Sequence, residues 1–242
     1  NLPENLESMH SSDNFKIITS NIKNVNSFEP SFSIGKRTRT YLKIQDGCDY
    51  NCSFCTIPMA RGKSRSSSID EVMCQAEEII SSGVLEIVLT GINIGDFGAR
   101  HDEDLLKLML KLDKINGKQR YRVSSIEPNL LSDEIIQFIA ESDKFLPHFH
   151  VPLQSGSDII LKSMQRRYDK DLFSNRMNNI KKMMPNACIG VDVIVGFPGE
   201  NEDCFQETYD FINNLDISYL HVFSYSERND TKSVTLQHKV ET

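Results

Sequence analysis

Between Thr40 and Tyr225, short apolar runs of strand composition alternate six times with segments whose apolar residues recur every three or four positions. The strand-like runs are 41–45, 85–90, 121–126, 148–153, 188–195 and 217–225. Such βα alternation predicts a parallel sheet with helices packed against it. Six units are too few to close an eight-stranded barrel, so the expected fold is α/β, an open partial TIM barrel with a lateral mouth. Functional groups then belong on the loops that leave the C-terminal ends of the strands.

Local signals support the helices. Ser68-Ile-Asp-Glu71 reads as a capping box, Val72, Ala76, Ile79 and Ile80 form one apolar face behind it, and Gly83 supplies the stop. Leu105, Leu108, Met109 and Leu112 make a second stripe, and Ser132 opens a third helix with Ile135, Ile136 and Ile139. Two helical pieces occupy 158–184, beyond which Pro185 blocks continuation. The run 188–195 is almost wholly apolar, as for a strand covered on both faces. Asp192 interrupts it, sharing a strand face with Gly190 and Ile194, while Val191, Val193 and Val195 point the other way. A carboxylate among apolar neighbours must be satisfied, so Asp192 is either a structural hydrogen-bonding group or a site residue.

The first strand runs into three cysteines within eight residues, Cys48, Cys52 and Cys55. Three soft ligands on one tight loop suggest an iron-sulfur cluster with one iron left free of protein ligands. A structural zinc would need a fourth ligand, for which Cys74 and His101 are the nearest candidates at unsuitable spacing. Cys74, Cys188 and Cys204 read as small buried hydrophobes, and His148 and His150, which share a strand face, as either a metal-like pair or packing and loop-tethering groups.

Length and charge bound the rest. The 242 residues suffice for one full-sized core, with 1–36 as a linker or the end of a preceding domain, 37–226 as the core and 227–242 as a polar stump. A brief alternating run at 15–18 allows one short strand in the first segment. The net charge of −7 excludes a bulk electrostatic footprint for nucleic acid, so such contact must be local. Basic residues at Lys36, Arg37, Arg39, Arg61, Lys63 and Arg65 bracket the cysteine loop and suit phosphate contact. The longest apolar run is too short to span a bilayer, and no signal peptide is visible, so the cytoplasm is the expected compartment, with no membrane partner.

The pattern Cys48-x-x-x-Cys52-x-Phe54-Cys55 resembles the signature of the radical S-adenosylmethionine superfamily. Gln45-Asp-Gly-Cys48 and Cys55-Thr-Ile-Pro58 look like its methylthiotransferase branch. Ser125-Ile-Glu127-Pro128 and Met164-Gln-Arg166-Arg167-Tyr168 are similar to members that act on threonylcarbamoyladenosine beside a tRNA anticodon. This resemblance implies a 4Fe-4S cluster on the three cysteines, with S-adenosylmethionine at the open iron. It implies cofactor contacts from Phe54, Gly91, Glu127, Gln154, Arg167 and Asp192, with Arg166 as an alternative to Arg167, and nucleic-acid contacts from Arg61, Lys63 and Arg65. It further implies tRNA as substrate, a flavodoxin or ferredoxin as electron donor, and a monomer. Family members carry a second 4Fe-4S cluster in an N-terminal domain, and a small C-terminal RNA-binding domain. Isopentenyladenosine in tRNA or a ribosomal protein is the alternative substrate, a radical enzyme of another outcome is a further rival, and a zinc-stabilised interaction domain is the non-enzyme rival.

Overall fold

The computed structural model describes residues 21–33 and 38–240, and the expected strand at 15–18, Lys36 and Arg37 lie outside them. The chain enters through β1 (Ser31–Phe32), which pairs antiparallel with β2 (Arg39–Lys43). The cysteine loop follows between β3 (Gln45–Asp46) and β4 (Arg65–Ser66), which form a small antiparallel ribbon, and it contains the short α1 (Ile57–Arg61). Then come α2 (Ile69–Ser81), β5 (Glu86–Thr90), α3 (Leu105–Asp113), β6 (Arg120–Val123), α4 (Asp133–Glu141) and β7 (His148–His150). The chain ends with α5 (Asp158–Ser163), α6 (Lys170–Met183), β8 (Cys188–Val195), α7 (Glu202–Asn213), β9 (Tyr219–Ser224) and a 3-10 turn at Lys232–Thr235.

The strands β2, β5 and β6 are parallel neighbours in that order, as are β7, β8 and β9. Parallel bridges between Tyr121 and Phe145 and between Ser125 and His150 join β6 to β7. The six expected strands therefore make one curved parallel wall in sequence order, the architecture anticipated from the alternation. Their regular pairing is shorter than the apolar runs, because the last residues of several runs turn into the loops.

The two faces of this wall differ. Leu42, Ile87, Leu89, Tyr121, Val123, Phe149, Ile189, Val191 and Val193 are buried and pack in one cluster with Val72, Ala76, Leu108, Met109, Ile136 and Phe173 of the helices. Residues in alternate register, Glu86, Arg122, His148, His150, Asp192 and His221, form a polar inner face. The expectation that β8 is covered on both faces is corrected here: Asp192 and Ile194 are only half-buried, because the open barrel has a lumen rather than a second helix layer. Cys74 is also exposed, on the outer side of α2.

The helix caps follow the sequence. Ser68 and Glu71 complete the reciprocal capping box of α2, and Ser132 caps α4 through the Ile135 amide. The polar stretch after β9 packs back on the barrel: the Ser233 amide donates to the Ser53 carbonyl at 2.8 Å, and Leu236 joins a small cluster around Ile160, Met164, Phe197 and Cys204.

Candidate metal centre

Gln45, fully buried, organises the cysteine loop. Its Nε2 lies 2.7 Å from the Gly47 carbonyl and 2.9 Å from Ser64 Oγ, while its Oε1 accepts from the Ile92 and Asn93 amides at 2.9 and 2.8 Å. One amide side chain thus ties the start of the loop to the turn after β5. Gly91 lies against it: an added Cβ would sit 2.8 Å from Gln45 Oε1, so glycine is required there by close approach and not by a positive φ. Gly47 does need its φ of +71°, and a Cβ there would run into the Lys63 carbonyl. Sequence reading quoted Gln45 as part of a family phrase and gave it no role, its own signal being a lone amide that closes an apolar strand run.

Asp46 secures the other side of the loop, 2.9 Å from Lys43, 3.2 Å from Arg65 and 3.7 Å from Arg61. Burial would raise its carboxyl, but Lys43, the Gly47 amide and Arg65 outweigh that and hold it below the usual carboxylate value. Arg65 is further committed to the carbonyls of Ser27, Arg61 and Lys63. Arg61 and Lys63 stay exposed beside the loop.

Cys48, Cys52 and Cys55 are free, half-buried thiols. Burial pushes the Cys48 thiol up to about 12 and also raises that of Cys52, so either thiolate calls for a nearby positive charge. Donors already point at two of the sulfurs: the Tyr50 amide at Cys48 Sγ, 3.4 Å away, and Arg166 Nη1 at Cys52 Sγ, 3.0 Å away. Three unpaired soft ligands on one loop, two of them facing N–H donors, fit a thiolate-bound cluster. The loop is pinned to the end of α5, where the Ser53 amide donates to the Met164 carbonyl and Ser53 Oγ to that of Ser163.

Arg166 and Arg167 leave α5 in the connection to α6, not on a helix as expected, after Gln165 turns the chain with a φ of +59°. Arg166 points inward, paired with Glu127 and bonded to Cys52. Arg167 points outward, stacked 3.9 Å over the Tyr50 ring and donating to the Asp49 carbonyl.

A recess of about 340 Å³ opens next to the loop, and Phe54, Gln154 and Asp192 line it together with Ile194, Tyr225 and Arg228. The structure therefore gathers three of the six expected cofactor residues in one place. Glu127 lies with Arg166 at Cys52, Gly91 with Gln45, and Arg167 on Tyr50.

Asp192 accepts from both His150 Nε2 at 2.8 Å and His221 Nδ1 at 3.0 Å. Burial raises its carboxyl, but these two bonds prevail and leave it below the usual value. Tyr219 OH lies 3.3 Å from both His150 Nδ1 and His148 Nε2, and a Cβ on Gly190 would collide with its ring. His148 Nδ1 is buried without a partner, and burial lowers the pKa of this ring. Tyr219 thus links the two imidazoles, and His150 links Tyr219 to Asp192, with the direction of each bond set by the ring tautomers. Among the described residues, His150, Asp192 and His221 are the trio of ligand atoms within 4.8 Å of one another, and the hydrogen bonds satisfy it without an ion. The two strand histidines thus meet on Tyr219, which links β7 to β9. Tyr219 and His221, which complete the chain, carried no signal in the sequence beyond their alternation in β9.

A protein-family model for the radical SAM superfamily matches residues 42–212, the span from β2 through α7. The chain belongs to the radical SAM superfamily. Membership implies a 4Fe-4S cluster and S-adenosylmethionine, which the free thiols and the adjoining recess accommodate. The chain is 45% identical over 214 residues to a threonylcarbamoyladenosine tRNA methylthiotransferase of Bacillus subtilis, an alignment spanning 88% of this chain and 47% of the relative. It is 41% identical over 202 residues to the protein of the same name from Aquifex aeolicus, spanning 84% and 49%. The chain thus spans about half the length of the curated relatives it matches. Among solved structures, it is similar to the radical S-adenosylmethionine methyltransferase TsrM of Kitasatospora setae, with a TM-score of 0.64 at 16% identity, covering 76% of this chain and 34% of that one. At that identity the likeness concerns the fold.

Proposed function

We propose that this chain is the radical core of a methylthiotransferase that modifies threonylcarbamoyladenosine in tRNA. The observation that carries the proposal is the 45% identity, over 88% of this chain, to an enzyme of that name, together with free cysteines on a loop beside a cofactor-sized recess. When bound, the cluster and S-adenosylmethionine supply reductive cleavage of the sulfonium to a carbon radical that abstracts hydrogen from the substrate.

This chain's residues bind and orient. Cys48, Cys52 and Cys55 hold the cluster, with Gln45 and Ser53 fixing the loop that presents them. Phe54, Gln154 and Asp192 receive the adenosyl end, and Phe54 is kept in place edge-on against Phe197, with ring centroids 6.3 Å apart. Gly91 lets Gln45 close on the turn after β5, while Glu127, paired with Arg166, and Arg167, stacked on Tyr50, lie outside the recess and serve the loop that carries the cysteines. The polar lumen below is held by the Asp192 and histidine tethers, which keep the wall's inner face ordered. Exposed Arg61 and Lys63 meet the tRNA backbone, and Arg65 supports them from within by its carbonyl contacts.

The residues 37–226 form the catalytic unit in this reading. Methylthiolation also needs the second cluster and the RNA-binding domain that the family resemblance implies, outside that unit. A flavodoxin or ferredoxin delivers the electron to a monomer in the cytoplasm; among the described residues no helix is long and apolar enough to cross a membrane.

Mass spectrometry of tRNA from cells lacking the full-length gene tests the substrate. Loss of the methylthio group from threonylcarbamoyladenosine is expected. An unchanged amount of that nucleoside refutes the assignment, and loss from isopentenyladenosine instead redirects it.

A further inference from the structure

Arg166 occupies an unusual position for a guanidinium. Its side chain is 4% exposed, and each of its nitrogens is engaged: Nη1 donates to Cys52 Sγ at 3.0 Å, Nη2 pairs with Glu127, and Nε donates to Tyr168 OH at 3.1 Å. Tyr168 is itself buried, and its hydroxyl lies 2.8 Å from the carbonyls of both Pro152 and Leu153 at the end of the β7 run. The Arg166 amide donates to the Leu161 carbonyl, so the backbone is held by α5. Among the described residues, Arg166 is the one charged side chain that donates to a cysteine sulfur of the loop. A solvated cation would need none of this support.

We propose that Arg166 raises the reduction potential of the cluster by donating a charge-assisted hydrogen bond to the Cys52 sulfur, and that Glu127 moderates the effect. The inference rests on the reading that Cys48, Cys52 and Cys55 hold a 4Fe-4S cluster. One-electron reduction adds negative charge that is shared with the ligand sulfurs. A buried positive group on one of those sulfurs stabilises the reduced form more than the oxidised form, and the effect is larger where solvent does not screen it. Net charge and hydrogen bonds to sulfur are the protein's principal levers on such potentials. Glu127 pairs with the other terminal nitrogen of the same guanidinium and offsets part of its charge, so the two residues act in opposite directions.

The test uses the full-length protein, anaerobically reconstituted, without S-adenosylmethionine, and titrated with dithionite while the reduced cluster is followed by electron paramagnetic resonance, the signal that survives in a variant with Cys48, Cys52 and Cys55 all replaced by alanine being subtracted as that of the second cluster. Omitting the cofactor separates this role from any contact between Arg166 and the cofactor carboxylate. At the wild-type midpoint, Arg166→Gln is expected to lower the ratio of reduced to oxidised cluster about tenfold, equivalent to about 59 mV for one electron. Arg166→Lys should recover part of the loss, and Glu127→Gln should shift the midpoint to higher potential. A merely structural role for the pair would not produce shifts of opposite sign. Variants that load a full cluster at the wild-type potential, or that shift in the same direction, overturn the proposal. Should Arg166→Gln fail to retain iron, Glu127→Gln decides alone: an upward shift supports the proposal and no shift overturns it. Wild-type protein that takes up no more iron and sulfide than the variant lacking Cys48, Cys52 and Cys55 defeats the underlying reading, and the inference goes with it.

Discussion

A single amide side chain, Gln45, joins the cysteine loop to the turn after β5, because its two ends face opposite demands. Its Nε2 serves the loop carbonyls, while its Oε1 serves two amides that have no other acceptor. Gln45→Leu keeps the volume and strands those amides, at a cost of roughly 3 kcal/mol. Urea unfolding should show the loss, with iron retention falling in parallel; an unchanged midpoint would contradict this role. Asp192 makes a second residue-level prediction. Its native carboxyl titrates below the ordinary 3.8, so its contribution is fully present above that value and fades as pH falls through the lower native one. The stability gap between wild type and Asp192→Asn should therefore hold near about pH 5 and narrow below 3.8, read from urea midpoints across that range. A gap that persists into stronger acid means that the His150 and His221 bonds do not depend on the carboxylate charge. The role of Gln45 was not legible in advance, and that of Asp192 only in part. The sequence marked Asp192 as anomalous but did not supply its two imidazole partners, which come from β7 and β9.

Elements were more readable. The start of α2 was evident as Ser68-x-x-Glu71, and the structure has both reciprocal bonds, Ser68 Oγ accepting from the Glu71 amide and Glu71 accepting from the Ser68 amide. Capping is local chemistry, needing only neighbours three residues apart, which is why sequence suffices. Ser68→Ala should lower stability by about 1 kcal/mol in denaturant titration without altering iron content, since α2 supports the wall from outside. A loss of iron at unchanged stability would mean instead that this helix start positions the cysteine loop. The segment from Met164 to Tyr168 shows the opposite case. Its composition reads as helix, yet the positive φ of Gln165 breaks the run and sends Arg166 inward and Arg167 outward. Adjacent arginines with the same intrinsic preferences are separated only by where the chain turns.

For the molecule as a whole, the distribution of charge matters more than its sum. A net charge of −7 opposes polyanions, so on the proposed reading the contact with tRNA falls to the few exposed cations near the loop. Arg61→Ser combined with Lys63→Ser should weaken tRNA binding and flatten its dependence on log salt by about 1 to 2, at roughly 0.7–0.9 for each phosphate that is no longer neutralised. An unaltered salt slope in filter-binding measurements would place the RNA surface elsewhere. By itself the sequence determined the βα alternation, the open parallel wall, the helix starts and the loop bearing three cysteines, because period, composition and short spacing are properties of neighbouring residues. Tertiary structure alone decided which face of β8 meets the lumen, which arginine reaches Cys52, and that Gln45, Tyr219 and His221 complete the site. Those contacts join residues up to 114 positions apart, and such distant atoms acquire a defined geometry only when the wall has curved and brought its loops to one end.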